Sequence, residues 1–153
     1  MSNPYQKILS LFKEQHISYK ELSLYKNRYE HVLQEHNLLL HQGAKSLVLK
    51  GNEMFFLVVL AGHRRIDLKK TKKVLGSNQL RLATNQEILS LMGCEIGACY
   101  PFGSIIDLET YVDTSLAENA TIFFNPGVIN KWILLSWNDY VGLTHPKLIN
   151  IAI

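Results

Sequence analysis

The residues with the clearest chemical potential are Gly97-Ala98-Cys99-Tyr100-Pro101. Two backbone-shaping residues bracket three positions there, directly after a helix stop at Gly93 and before Phe102-Gly103-Ser104. Such a loop can turn main-chain N–H groups toward one point, where they hold a developing oxyanion or a small polar group without using a side chain. Lys45, in Ala44-Lys45-Ser46-Leu47, opens an apolar strand beside Gly43. A strand-end ammonium can enter a cleft, lose part of its hydration and pair with a phosphate or a reacting carbonyl. Each signal is weak alone: Gly-x-x-x-Pro is usually a turn, and a lysine is usually a solvated surface group. Cys99 could act as a nucleophile only with a lowered pKa and a base. No histidine is near it in sequence, so a small packed side chain is expected. Asn125-Pro126-Gly127 reads as a turn. Asp113 is expected to cap the turn through Thr114 and Ser115 rather than to catalyse.

These residues need elements to position them. Asn3-Pro4 reads as a helix start, with Ile8, Leu9, Leu11 and Phe12 apolar and an end near Gln15. Ile17, Tyr19 and Leu22 suggest an extended segment, and residues 27–41 a helix. Ser46 to Leu49 and Met54 to Leu60 read as strands joined at Gly51-Asn52 by a tight hairpin. Asp67 is placed to cap a helix over Leu68 to Leu75 that Gly76 stops. A short strand, Leu80 to Leu82, follows. Thr84-Asn85-Gln86-Glu87 is a capping box for a helix that Gly93 ends. Thr110 to Val112, Thr121 to Phe124 and Trp132 to Leu135 are strand candidates, and Ser136 caps a last helix through Leu143. Helices and strands interleave but hairpin signals are common. The expectation is an α/β chain of the α+β type: a mixed, largely antiparallel sheet flanked by helices, in one domain over 1–153.

Composition narrows the function classes. The chain has 153 residues, 47% apolar and 19% charged, an ordinary globular balance. No apolar run approaches the ~20 residues of a membrane span, and the N-terminus lacks an apolar secretory core. Cys94 and Cys99 are the only cysteines, which argues against a disulfide framework or a zinc site and for a reducing cytoplasm. His31, His36 and His41 are five apart and share no helix face, so no metal is expected. Gly-x-Ser-x-Gly and phosphate-loop motifs are absent, which sets aside serine hydrolase and nucleotide triphosphatase readings. The net charge is only +3, yet six of the sixteen Lys and Arg are Arg64, Arg65, Lys69, Lys70, Lys72 and Lys73. That cluster is either a polyanion-binding patch or the solvated face of an amphipathic helix.

Taken together, these motifs resemble the YbaK family, the editing domain associated with prolyl-tRNA synthetase. Ala44-Lys45-Ser46-Leu47 is similar to the family's Ala-Lys-x-Leu, and Gly93 to Gly103 to its Thr-Gly-x-x-x-Gly-x-x-x-Pro-Phe-Gly, with Met92 in place of threonine. Gly62-His63-Arg64-Arg65-Ile66-Asp67-Leu68-Lys69-Lys70 resembles Gly-Asp-Arg-Arg-Leu-Asp-Leu-Lys-Lys, with His63 replacing an acid. Val112-Asp113 resembles its Val-Asp, and Asn125-Pro126-Gly127 its Asn-Ala-Gly. Val128-Ile129-Asn130 stand where many members carry His, Ser or Arg. The resemblance is strongest over 43–153.

The resemblance implies a free-standing hydrolase of mischarged aminoacyl-tRNA that uses no cofactor. It makes Lys45 and Gly97 catalytic, and Ser46, Ala98, Cys99, Tyr100, Pro101, Asn125 and Gly127 substrate-binding. It gives Arg64, Arg65, Lys69, Lys70, Lys72 and Lys73 to tRNA. The partners implied are aminoacyl-tRNA and an aminoacyl-tRNA synthetase, in the cytoplasm and without a membrane. The competing expectation is a non-catalytic tRNA- or nucleotide-binding module with the same fold.

Overall fold

The computed structural model describes residues 3–24 and 29–153. Helix α1 (Pro4–Glu14) begins where Asn3 accepts a hydrogen bond from the Gln6 N–H. Strand β1 (Lys20–Ser23) and helix α2 (Tyr29–Glu35) follow. The hairpin of β2 (Ala44–Gly51) and β3 (Met54–Ala61) leads to α3 (Leu68–Leu75), β4 (Arg81–Leu82) and α4 (Asn85–Met92). The chain closes with β5 (Thr110–Asp113), β6 (Thr121–Phe124), β7 (Lys131–Ser136), α5 (Trp137–Thr144) and β8 (Lys147–Ile149).

The strands form two sheets. One is antiparallel, in the order β1-β7-β6; the other runs β4-β2-β3-β5-β8, with β3, β5 and β8 mutually parallel and the β2 pairings antiparallel. The mixed, mainly antiparallel architecture matches expectation, divided between two sheets instead of one. Among the described residues a single bridge, Gly43 to Phe123, links them. Gly43 is required at that junction, because a Cβ there would lie 2.9 Å from the Phe123 ring.

The principal core fills the space between the sheets. Leu57, Val59 and Ala61 of β3 face it together with Ala44 and Val48 of β2, Phe12, Met92, Phe124 and Tyr140. Phe56, Val58 and Leu60 point the other way, into a second core under α3 and the C-terminal segment. β3 is apolar on both faces because both are covered. Asp113 holds the C-terminal segment: its Oδ1 accepts the N–H groups of Ile151 and Ala152, and its Oδ2 accepts the N–H and the hydroxyl of Ser115. Its role is the structural one expected, extended to a second segment.

Three local expectations are corrected. The helix over 27–41 is shorter: within the described residues it ends at Glu35, and 27–28 lie outside them. Asn37 takes φ 53° while the Leu38 N–H reaches the Leu33 carbonyl, a left-handed helix stop. The hairpin turn is Asn52-Glu53, one residue later than expected, because Gly51 pairs with Met54 as the last residue of β2. β8 has no counterpart among the expected strands; it is short and only partly buried, with little apolar pattern to mark it.

Candidate active site

A cleft of about 190 Å³ opens where the two sheets meet. Lys45, Ser46, Gly97, Cys99 and Asn125 line it, and Phe123, Phe124 and Trp132 form an aromatic wall. Five site residues read from the sequence therefore converge, although they come from three distant stretches of chain.

Lys45 and Ser46 are consecutive on β2 and project to opposite faces. Lys45 pairs across the hairpin with Leu60, on the α3 face, and Ser46 with Val59, on the principal core face. The Lys45 Nζ donates to the carbonyl of Arg64. Burial, and secondarily the Arg65 charge, hold its pKa below the usual lysine value. Ser46 Oγ is buried and has no hydrogen-bond partner among the described residues.

The loop after α4 is a turn closed by the Ala98 N–H on the Glu95 carbonyl. Gly97 occupies φ 93°, a conformation that side chains strain. Nothing lies within 4 Å of the position a Cβ would take, so the glycine is needed for backbone angle; crowding is not the reason. The Ala98 carbonyl accepts the Gly127 N–H at 3.1 Å, which ties this loop to the turn after β6. The Ala98 N–H is spent on the Glu95 carbonyl, while the main chain at Gly97 and Cys99 favours the charged form of the Cys99 thiol. The Cys99 thiol is drawn below its ordinary pKa chiefly by the Cys94 thiol beside it; burial opposes this and the two amides add to it. Cys94 is pushed up by the same contact and by burial. Asn125 donates from Nδ2 to the carbonyls of Val128 and Lys131, which leaves its Oδ1 as the acceptor.

Four expected binding residues lie elsewhere. Tyr100 is fully buried and donates to the Met92 carbonyl; aromatic bulk in this loop serves the core. Pro101 is buried beside it and offers its carbonyl to the Tyr140 hydroxyl. Ala98 and Gly127 line a second cavity of about 400 Å³, together with Val128, Ile129 and Asn130. Val128, Ile129 and Asn130, which depart from the family pattern, therefore line this second cavity and not the Lys45 cleft. Sequence reasoning in turn missed Leu40, Gly62, Phe123 and Trp132 as lining residues. The Gly43 and Gly62 positions carried the available signal, since the Gly62 N–H bonds the Gly43 carbonyl at 2.7 Å at the cleft edge.

The basic cluster starts beside the cleft and runs away from it. Arg64 holds the Lys45 amine on its carbonyl, and its Nε is buried without a partner among the described residues. Asp67 caps α3, whose Leu68, Thr71 and Leu75 turn to the sheet. Lys69 and Lys73 are exposed, and Lys70 reaches Asn150. The end of α3 lies near Gly51, because a Cβ on Gly51 would meet Ser77 Oγ. Lys45 and Gly51 are separated by the length of β2, roughly 20 Å at the rise of a strand. The cluster is a stripe leading from the cleft along one face.

Comparison with known proteins agrees with this geometry. The family model described as the aminoacyl-tRNA editing domain matches residues 26–143. The Escherichia coli (strain K12) protein named multifunctional Ser/Thr-tRNA deacylase ProXp-y is 35% identical over 116 residues, 72% of this chain and 70% of that protein. A proline–tRNA ligase of Bacillus cytotoxicus is 34% identical over 76 residues, half of this chain and 13% of the ligase. A solved structure described as a candidate trans-editing enzyme for prolyl tRNA synthetase superposes with a TM-score of 0.85 over 100% of this chain and 99% of its own, at 23% identity, which bears on the fold. With the family model spanning both walls of the Lys45 cleft, this chain belongs to the aminoacyl-tRNA editing domain family.

Proposed function

We propose that this chain hydrolyses the ester between an amino acid and the 3′ end of tRNA, acting in trans on wrongly charged tRNA in the cytoplasm. The observation that carries this reading is the convergence of Lys45, Gly97, Cys99 and Asn125 on one small cleft. Water attacks the ester carbonyl. As its oxygen becomes negative it takes the Gly97 and Cys99 N–H groups, for which sulfur is only a weak acceptor. The Lys45 ammonium sits against phosphate and orients the terminal adenosine. Among the described residues no carboxylate or imidazole lines the cleft. This favours the substrate's own ribose 2′ hydroxyl as a relay, which takes a proton from the attacking water and passes its own to the departing 3′ oxygen. The basic stripe carries the phosphate backbone, and a synthetase supplies the mischarged tRNA. The test is a deacylation assay over tRNAs charged with a panel of amino acids. Turnover of at least one mischarged species is expected; tight tRNA binding without turnover of any would replace the enzyme with a binding module.

A further inference from the structure

The chain's only two cysteines, Cys94 and Cys99, stand on either side of the turn that carries Gly97. The turn is closed by the Ala98 N–H on the Glu95 carbonyl, so the residues just outside it are brought opposite one another. The returning chain stays beside the outgoing one, because the Tyr100 hydroxyl donates to the Met92 carbonyl at 2.8 Å. Positions that face each other across such a return stand about 4.5–5.5 Å apart at Cα, within the span that a disulfide bridges. Both side chains belong to the principal core cluster, and both thiols are free.

The pair lies between two cavities. Cys99 lines the cleft of about 190 Å³, and Cys94 lines the second cavity of about 400 Å³. Neither is sealed: Cys99 keeps 7% of its surface exposed and Cys94 4%. A molecule as small as peroxide reaches them. The hydrogen bond from Cys94 makes Cys99 the more readily ionised of the two, although burial opposes this.

We propose that Cys94 and Cys99 are a reversible oxidation site, at which hydrogen peroxide forms a disulfide that disables the cleft. The Cys99 thiolate attacks one peroxide oxygen, the O–O bond breaks and hydroxide leaves. The Cys94 thiol then attacks the sulfur of the Cys99 sulfenic acid. The S–S bond forms as the S–O bond breaks, and the oxygen leaves as water with the Cys94 proton. Each sulfur gives up one electron, and peroxide takes both. Disulfides of this kind in reducing compartments are transient and redox-sensing.

Bond formation draws the sulfurs to about 2 Å. The loop ends are anchored: the Tyr100 hydroxyl is held by Met92, the Pro101 carbonyl by Tyr140, and the Gly93 N–H by the Leu89 carbonyl. Glu95, Ile96 and Gly97 between them are exposed, so the displacement falls on Gly97. Misplacing a positioning group by about 1 Å costs up to ~10²-fold in rate.

The loss of activity rests on the deacylase reading above; formation of the bond does not. The test treats the reduced full chain with hydrogen peroxide and reads intact mass, thiol count and single-turnover deacylation. Wild type is expected to lose two hydrogens and both thiols without dimerising. Its rate is expected to fall at least about tenfold and to return in dithiothreitol. Cys94→Ser is expected to keep the reduced protein's rate. It has no thiol to resolve the sulfenic acid, so a dimedone adduct at Cys99 is expected in place of the disulfide. Wild type that only gains oxygen, that forms only disulfide-linked dimers or that does not react overturns the proposal. An intramolecular disulfide that leaves the rate unchanged overturns it too. If the reduced protein cleaves no ester, the deacylase reading fails by itself, and mass and thiol count alone decide whether the oxidation site exists.

Discussion

The cleft and the α3 stripe are both basic, yet they are built in opposite ways. In the cleft, Lys45 is partly buried, tied to the Arg64 carbonyl and shifted from its ordinary pKa. The donors of the Gly97 loop are held by turns and by a cross-loop bond to Gly127. On α3, Lys69 and Lys73 extend into water from a helix that packs only its opposite side. Preorganised groups in a partly dry site stabilise developing charge strongly, whereas solvated charges attract a polyanion and are screened by salt. On the function proposed above, chemistry and amino-acid choice belong to the cleft and capture of the RNA to the stripe.

The comparison breaks most visibly at Lys45. Lys45→Ala is expected to cut single-turnover deacylation by ~10²–10³ while near-UV circular dichroism stays unchanged. An undiminished rate would take Lys45 out of the mechanism. Gly97→Val is expected to follow at about 10², because φ 93° strains a branched residue and misplaces the two N–H groups. Rate and thermal midpoint should be read together, since a rate loss explained wholly by unfolding would leave the loop without a catalytic part.

On the other region, changing Lys69, Lys70, Lys72 and Lys73 together to glutamate should weaken tRNA binding at least tenfold. Every lysine that pairs with a phosphate in the wild type should, once reversed, flatten the slope of log affinity against log salt by about 0.7–0.9. The ranking of aminoacyl groups should not move. A changed ranking would mean that the stripe and the cleft are not separable. The smallest effect is expected from Cys99→Ala, within about threefold in rate, since the sulfur serves packing and is displaced from the amides by the oxyanion. An inactive Cys99→Ala with a normal fold would make Cys99 the nucleophile.

The stripe is more legible in the sequence than the cleft, and the reason is locality. Asp67, Gly76 and the spacing of Leu68, Thr71 and Leu75 declare the cap, stop and buried side of α3 within a dozen residues, and the structure repeats them. Thr84 and Glu87 declare α4 in the same way. The cleft depends on contacts between distant segments. Gly43 looks like helix punctuation until Phe123 is found against it. Gly51 looks like a turn glycine, but its missing Cβ makes room for Ser77, while Asn52 takes the positive φ. Tyr100 and Pro101 look like pocket residues because they lie inside the loop motif, whereas their hydrogen bonds to Met92 and Tyr140 place them in the core. Strand parity alone shows that Lys45 and Ser46 leave β2 on opposite faces. That Ser46 lacks a partner can be read only from the packed structure.

The division of labour between the two regions is tested most directly by measuring kcat and KM separately on one mischarged tRNA, for wild type, Lys45→Ala and the four-lysine reversal. Lys45→Ala is predicted to lose kcat by about two orders of magnitude or more, because the bound ester is no longer oriented for attack. The reversal is predicted to raise KM about tenfold or more and to leave kcat within about twofold. A reversal that abolished kcat, or a Lys45→Ala variant that changed KM alone, would contradict that division.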